Sequence, residues 1–180
     1  MPTTENIDLS YPIGRCQPPQ AISLINIEEY IAEIALLPQQ VKKAINGLSS
    51  AQLDTPYRPG GWTVRQVIHH IPDSHMNAYV RFKMALTEVD PLIKPYDEKL
   101  WAELYDVQAT PVEVSLQMLE ALHHRWVLLL QSLSESDLKR NYRHPDMGYV
   151  PLEQVIASYA WHGKHHVAHI TSLRNRMGWV

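Results

Sequence analysis

The sequence lacks the features that mark several classes of protein. Cys16 is the one cysteine among 180 residues, which excludes an internal disulfide framework and any zinc or iron–sulfur site built from several cysteines. The longest apolar run covers residues 126–130, far short of the roughly 18 residues that a membrane-spanning helix requires. The sequence therefore predicts neither a disulfide framework nor a membrane span.

The chain also lacks a strong excess of either positive or negative charge. The 16 basic and 19 acidic residues give a formal net charge of −3, and the chain contains no long basic run. We therefore expect no binding to nucleic acid or to an anionic membrane. The first six residues include no basic start and no apolar segment, which predicts that there is no signal peptide and that the protein is cytoplasmic.

Histidine is abundant, with ten residues against a single phenylalanine. Apolar residues make up 45% of the chain, which is enough for the core of one domain of this length. Residues 1 to about 24 contain four prolines and show no helical period. We interpret them as an extended N-terminal arm.

Apolar residues spaced three, four or seven apart predict four long helices in the rest of the chain. The first is predicted to begin near Asn26, with Asn26 and Glu29 as a capping box, and to kink at Pro38. The second is predicted to follow Thr63, which forms a capping box with Gln66.

Proline, cap and glycine signals mark the interior of the second helix and the ends of the third and fourth. Pro72 lies inside the second helix and should free the carbonyl of Ile68, because proline has no backbone N–H. Thr110 is the predicted cap of the third helix. The fourth runs from about Pro151 to Met177 and ends before a glycine.

The predicted fold class is all-α, a four-helix bundle. Residues 90–109 form a long connection, with a short helix expected around 97–104, and residues 141–148 are predicted to be a loop. A connection as long as 90–109 allows a crossover, so a simple up-down-up-down order is not assured.

The fourth helix carries the clearest functional signal. His162 and His166 are four residues apart and share an otherwise apolar face. Buried imidazoles are costly without partners, and a metal ion satisfies two at once, as in helical zinc motifs. His169 lies about 10 Å along the axis from His162, too far to share one ion, so a third ligand should come from another helix. His165 points to the flank of this face.

The second helix offers that third ligand. His69 and His70 are adjacent and point about 100° apart, so only one of them can face the bundle. His70 continues the line through Ser74, and Asp73 could accept its second N–H and so orient it. The pattern alone leaves the choice between His69 and His70 open.

A different interpretation applies to the other histidines. Most buried histidines are hydrogen-bonded core residues rather than ligands. His123 and His124 on the third helix are interpreted as surface or packing residues, and His144 as part of a solvated turn.

Several segments together resemble one known family, the DinB-like superfamily, and within it the YfiT-type metal-dependent hydrolases related to bacillithiol S-transferases. The similarity runs nearly from end to end. The segments that carry it are Leu9–Gly14, Gly60–His70, Asp73–Asn77, Pro95–Lys99, Trp161–Ile170 and Arg176–Trp179.

This resemblance implies a single domain over residues 1–180, an up-down-down-up four-helix bundle that forms a homodimer, with residues 1–24 as its arm. It also implies one divalent ion per chain, zinc or nickel, held by His70, His162 and His166. Pro72 departs from the family pattern two residues after His70, which puts the aim of that ring in question.

Three functions remain open at this point. The first is a metal-dependent hydrolase in which the ion activates a bound water, with no other catalytic residue assigned. The second is transfer of a low-molecular-weight thiol of the bacillithiol type to an electrophile. The third is a metal-stabilised binding protein without catalysis. For the first two functions we expect a small-molecule substrate.

Overall fold

The computed structural model describes residues 8–17 and 21–179. Its four long helices are α1 (Leu24–Ile45), α3 (Val64–Thr87), α6 (Val112–Gln131) and α8 (Leu152–Met177). Between them lie short helices and one hairpin: α2 (Ser50–Leu53), α4 (Glu98–Trp101), α5 (Tyr105–Ala109), α7 (Glu135–Leu138), β1 (Asn141–His144) and β2 (Gly148–Pro151). No helix in the described ranges is long and apolar enough to cross a membrane.

Side-chain capping marks the start of α1 and α3 but not of α6 and α8. The predicted box of Thr63 and Gln66 is present at the start of α3. The predicted start of the first helix is too late, because Ser23 is the N-cap and forms the box with Asn26. The cap predicted for α6 is wrong as well, since the extended Pro111 is the N-cap and no side chain bonds there.

The long helices pack in a crossed order. α1 packs against α6 and α8, and α3 packs against the same two helices. In a simple up-down-up-down bundle, consecutive helices are neighbours. Among the described residues α1 does not pack closely against α3, nor α6 against α8, so the α1–α3 and α6–α8 connections must cross the bundle. The predicted all-α bundle is confirmed.

The core has two apolar clusters with a histidine layer between them. One cluster contains Phe82 of α3 and Trp126 of α6, and the other contains Val67 of α3 and Leu119 of α6. On α3, α6 and α8 the histidine layer therefore lies between the two clusters. The described residues place His75, His123 and His166 in it, all buried.

Residues 141–148 are not the predicted loop. They belong to an antiparallel hairpin in which Tyr142 pairs with Val150, and both side chains are buried. The amide of Ile93 donates to the carbonyl of Arg143 at 3.0 Å, which ties the connection after α3 to this hairpin. That connection carries the two short helices α4 and α5 rather than one.

Both internal prolines are accommodated inside continuous helices. α1 passes through Pro38 and α3 passes through Pro72. A proline leaves the carbonyl four residues earlier without its helical donor. For Pro38 that carbonyl belongs to Ile34, and it accepts a hydrogen bond from His123 Nδ1 at 2.7 Å instead.

Candidate metal centre

Three histidine rings converge between α3 and α8. His162 Nε2 lies 3.3 Å from His70 Nε2 and 3.1 Å from His166 Nε2. One ligand atom from each of the three residues lies within 4.8 Å of the others. The structure thus brings together the three residues that the resemblance implied as ligands, and Pro72 does not turn His70 away from them.

This arrangement fits a divalent ion by spacing and by donor type. With metal–nitrogen bonds of about 2.0–2.1 Å, tetrahedral ligand nitrogens lie about 3.3–3.4 Å apart. Burial lowers the pKa of His70 to about 4 and holds the pKa values of His162 and His166 well below the usual range. The rings are therefore neutral at pH 7, as metal ligation requires.

The choice between His69 and His70 follows from the neighbours of α3. His69 turns towards α6, where its Nδ1 lies 2.7 Å from the Ser115 hydroxyl. His70 turns towards α8 and packs against Trp62, with ring centroids 4.7 Å apart. His69 thus contacts α6 and His70 contacts α8, a difference that the pattern of α3 alone could not show.

His165 and His169 form a second pair four residues apart on α8. His165 stacks on Trp161 at 4.3 Å, and His169 stacks on Tyr57 at 3.9 Å. His169 Nε2 also lies 3.2 Å from the carbonyl of Ser10 in the N-terminal segment. Both rings are buried, but neither belongs to the metal-competent group found among the described residues.

A chain of buried rings leads away from His162. Its Nδ1 lies 3.1 Å from His75 Nε2, and His75 Nδ1 lies 2.9 Å from His123 Nε2. Burial lowers the pKa of His123 to about 4 and the pKa of His75 well below its usual value. His123 then bonds the Ile34 carbonyl described above.

Sequence reasoning missed this chain. It treated His123 as a surface or packing residue and gave His75 no role. A signal was available for His123, because it lies four residues after Leu119 and three before Trp126, on the buried stripe of α6. His124, next to it, is exposed as expected.

Asp73 does not take the orienting role considered for it. Within the described part of the chain, no hydrogen bond joins its carboxylate to His70, and its backbone carbonyl accepts from the Asn77 side chain at 2.9 Å. Burial, followed by the nearby Asp106, raises the pKa of Asp73 to about 6. The structure therefore offers no support for Asp73 as the partner of a ligand.

Two adjoining cavities open beside the three histidines. The larger is about 620 Å³, and the smaller, about 450 Å³, is lined by all three candidate ligands. Both share walls formed by Tyr11, Trp62, Glu98, His165 and His166. These volumes lie within the range of small-molecule sites.

His144 also lines the smaller cavity. It ends β1, and its side chain is 15% exposed, so the predicted solvated turn is wrong. The hairpin brings it there, since β1 is tied to the connection that passes over the site.

A family model connects this geometry with known proteins. The model described as the DinB superfamily matches residues 33–170, which include all three candidate ligands. This chain belongs to the DinB superfamily. The resemblance noted from the sequence is thereby confirmed.

Relatives of this DinB chain cover nearly its whole length. A Bacillus cereus (strain AH820) protein named "Putative metal-dependent hydrolase" is 58% identical over 172 residues, 96% of this chain and 99% of the relative. A protein of the same type of name from Oceanobacillus iheyensis is 56% identical over 169 residues, 94% of this chain and 98% of the relative.

A solved structure agrees with the fold. YfiT from Bacillus subtilis, described as a probable metal-dependent hydrolase with an unusual four-helix bundle topology, superposes with a TM-score of 0.94 at 48% identity. The match covers 97% of the DinB chain and 100% of YfiT. The unusual topology described for YfiT agrees with the crossed order of helices in this chain.

Proposed function

We propose that this protein is a metal-dependent hydrolase whose divalent ion, zinc or nickel, is held one per chain by His70, His162 and His166. The observation that carries the proposal is the convergence of three Nε2 atoms at 3.1 and 3.3 Å along the wall of a cavity of about 450 Å³. Three protein ligands leave a coordination position open, which is the catalytic rather than the structural pattern. The names of the relatives point the same way.

When bound, such an ion acts as a Lewis acid that lowers the pKa of a coordinated water towards roughly 7. The chain's own residues shape the surroundings. Trp62 packs on His70 and lies nearly parallel to His166, with an interplanar angle of 18°. This indole shields one side of the ligand rings from bulk water.

Polar side chains complete the cavity. Tyr96 lines the smaller cavity, and burial raises its pKa to about 12, so a protonated hydroxyl is available there as a donor to a substrate oxygen. Glu98 lines both cavities and offers a carboxylate that accepts a proton. We assign these as a binding donor and a proton acceptor for hydrolysis.

The test is turnover of a panel of chromogenic esters, amides and phosphate esters by untagged protein. Chelation should abolish turnover, zinc or nickel should restore it, and His166→Ala should remain inactive with metal added. His124→Ala is the matched control, because it removes an exposed histidine away from the cavities. Turnover that persists in His166→Ala would contradict the assignment.

A second candidate is transfer of a small thiol to an electrophile. The joined cavities favour it, because a two-substrate reaction needs room for both reactants beside the ion, and the two spaces share His166 as a wall. In the test reaction, the thiol sulfur displaces chloride from monochlorobimane and the thiol proton passes to the buffer.

Fluorescence with bacillithiol and monochlorobimane separates these candidates. Metal-dependent conjugation without hydrolysis of the panel would favour transfer, and the reverse would favour hydrolysis. If metal removal lowers the melting temperature while neither assay responds, the protein is a metal-stabilised binding protein instead.

A further inference from the structure

The three candidate ligands differ in what holds their second ring nitrogen. His162 Nδ1 lies within hydrogen-bond distance of His75 Nε2, at 3.1 Å. His166 Nδ1 is buried without a partner among the described residues. His162 is thus oriented by a side chain on another helix, whereas His166 is not.

The direction of hydrogen bonding along the chain of rings is set at its far end. The Ile34 carbonyl can only accept, so the His123 Nδ1 atom 2.7 Å from it must carry the proton. A lone pair there would place two acceptors face to face in a buried site, which is strongly unfavourable.

Each neutral imidazole carries one N–H, so the remaining protons follow in order. His123 Nε2 is an acceptor, and His75 Nδ1 must donate to it across 2.9 Å. His75 Nε2 is then an acceptor, and His162 Nδ1 must donate to it across 3.1 Å. The Nε2 of His162 is left with its lone pair, and that is the atom that lies beside His70 and His166.

Pro38 is the origin of this order. In an uninterrupted helix the Ile34 carbonyl would accept the N–H of residue 38, but proline has none. The freed carbonyl lies inside the bundle, where His123 is its donor. Hydrogen bonds through His123 of α6 and His75 of α3 thus connect the Ile34 carbonyl of α1 to His162 of α8.

We propose that His75 and His123 are positioning residues, anchored by the proline-freed carbonyl of Ile34, which fix His162 in its Nδ1–H tautomer and direct its Nε2 to the metal ion. This rests on the proposed function only in taking His162 as a ligand. Neither ring touches the ion, and their effect passes through His162.

The decisive variants differ in whether they keep the hydrogen-bond pattern. Glutamine at position 75 has an oxygen to accept from His162 and an amide to donate to His123, whereas leucine has neither. Zinc affinity, measured by competition with a chelating dye, should fall about 10- to 100-fold in His75→Leu and stay within about threefold in His75→Gln. His69→Leu, which removes a buried ring on the same helix away from the ion, should also stay within about threefold.

A second measurement reads the tautomer directly in metal-free protein. Long-range proton–nitrogen spectra of the wild type should show His162 protonated at Nδ1 and not at Nε2. In His75→Leu the proton should move to Nε2 in a detectable fraction of molecules. This spectrum needs no zinc binding, so it tests the positioning role even if the proposed metal function fails.

Three results would overturn the proposal. They are wild-type zinc affinity in His75→Leu, equal loss of affinity in the glutamine and leucine variants, and an Nε2–H tautomer of His162 in the wild type. Should His75→Leu fail to fold, the wild-type spectrum and the affinity of His75→Gln still decide. Melting curves of the metal-free variants identify that case.

Discussion

Two overlapping histidine pairs on α8 have the same spacing and different surroundings. His162 and His166 place their Nε2 atoms 3.1 Å apart and meet His70 from α3. His165 and His169 stack on Trp161 and Tyr57, and one of them bonds a backbone carbonyl. The HxxxH spacing alone is therefore insufficient to define this site.

The difference lies in what the neighbouring elements present. The pair that faces α3 meets a third imidazole and a chain of ring partners. The pair that faces the N-terminal segment meets aromatic faces and the carbonyl of Ser10, which can satisfy histidine without an ion. Comparing the two pairs separates the contribution of spacing from that of tertiary contacts.

Removing one ring from each pair should give the largest contrast. His166→Ala leaves two candidate ligands, so zinc affinity should fall at least about 100-fold and purified protein should contain little metal. His165→Ala should retain about one ion per chain. Elemental analysis of untagged protein, before and after zinc reconstitution, measures this. Equal metal loss in both variants would remove the distinction between the pairs.

Acid should destabilise the metal-free protein, and His165 and His169 should account for part of the effect. Burial lowers the pKa values of His165 and His169 to about 4, from the ordinary histidine value of 6.5. Between these values the unfolded chain binds protons that the folded protein does not, so the free energy of unfolding falls as pH drops from 6.5 to 4. Asp73, with its pKa raised to about 6, works in the opposite direction but is a single group.

Urea unfolding at pH 7 and pH 5 tests this effect. On acidification, the double variant His165→Gln, His169→Gln should lose less free energy of unfolding than the wild type. For each ring removed, the difference should be smaller than about 1.4 kcal/mol per pH unit. The effect of each ring stays below this value because both rings lie at a cavity wall, where solvent screens their charge. An unchanged pH dependence would show that these two rings do not titrate as described.

The smallest effect is expected at Gly163, which directly follows His162 and faces α1. A Cβ there would lie 2.7 and 2.9 Å from the two terminal carbons of Leu37, which is buried. Overpacking should outweigh the helix-propensity gain of alanine, leaving a net loss of about 1 kcal/mol and a melting temperature lower by about 2–4 °C.

Calorimetry of Gly163→Ala, Leu37→Ala and the double variant completes that test. Relief of the clash should make the double variant more stable than the sum of the single effects predicts. Additive effects would place the strain elsewhere. Zinc affinity of Gly163→Ala shows whether the adjacent His162 moves with the helix.

Prediction from the sequence succeeded where local rules dominate. The capping box of Thr63 and the end of α8 at Met177, followed by Gly178 with φ of 65°, follow from residues close in the chain. The HxxxH pair that turns towards α3 followed from helical periodicity. The choice of His70 over His69 came from resemblance, because two adjacent residues carry no periodic information about which partner helix each will meet.

Tertiary pairing explains what the sequence did not reveal. The hairpin of β1 and β2 is short, and its inward Tyr142 and Val150 are too few to form an alternating pattern. His75 and His123 are 48 residues apart on different helices, so only their packing identifies them as partners. The Ile34 carbonyl becomes an acceptor through Pro38, which periodicity treated only as a source of bending.

The position of the site along the chain has a consequence for biosynthesis. Two of the three candidate ligands lie on α8, the last helix of the described residues, and the hydrogen bond from His169 reaches back 159 residues to Ser10. Contacts so distant in sequence form late, after most of the loop-closure entropy has been lost. A nascent chain that ends before residue 162 carries one candidate ligand of three, so metal acquisition should await synthesis of α8.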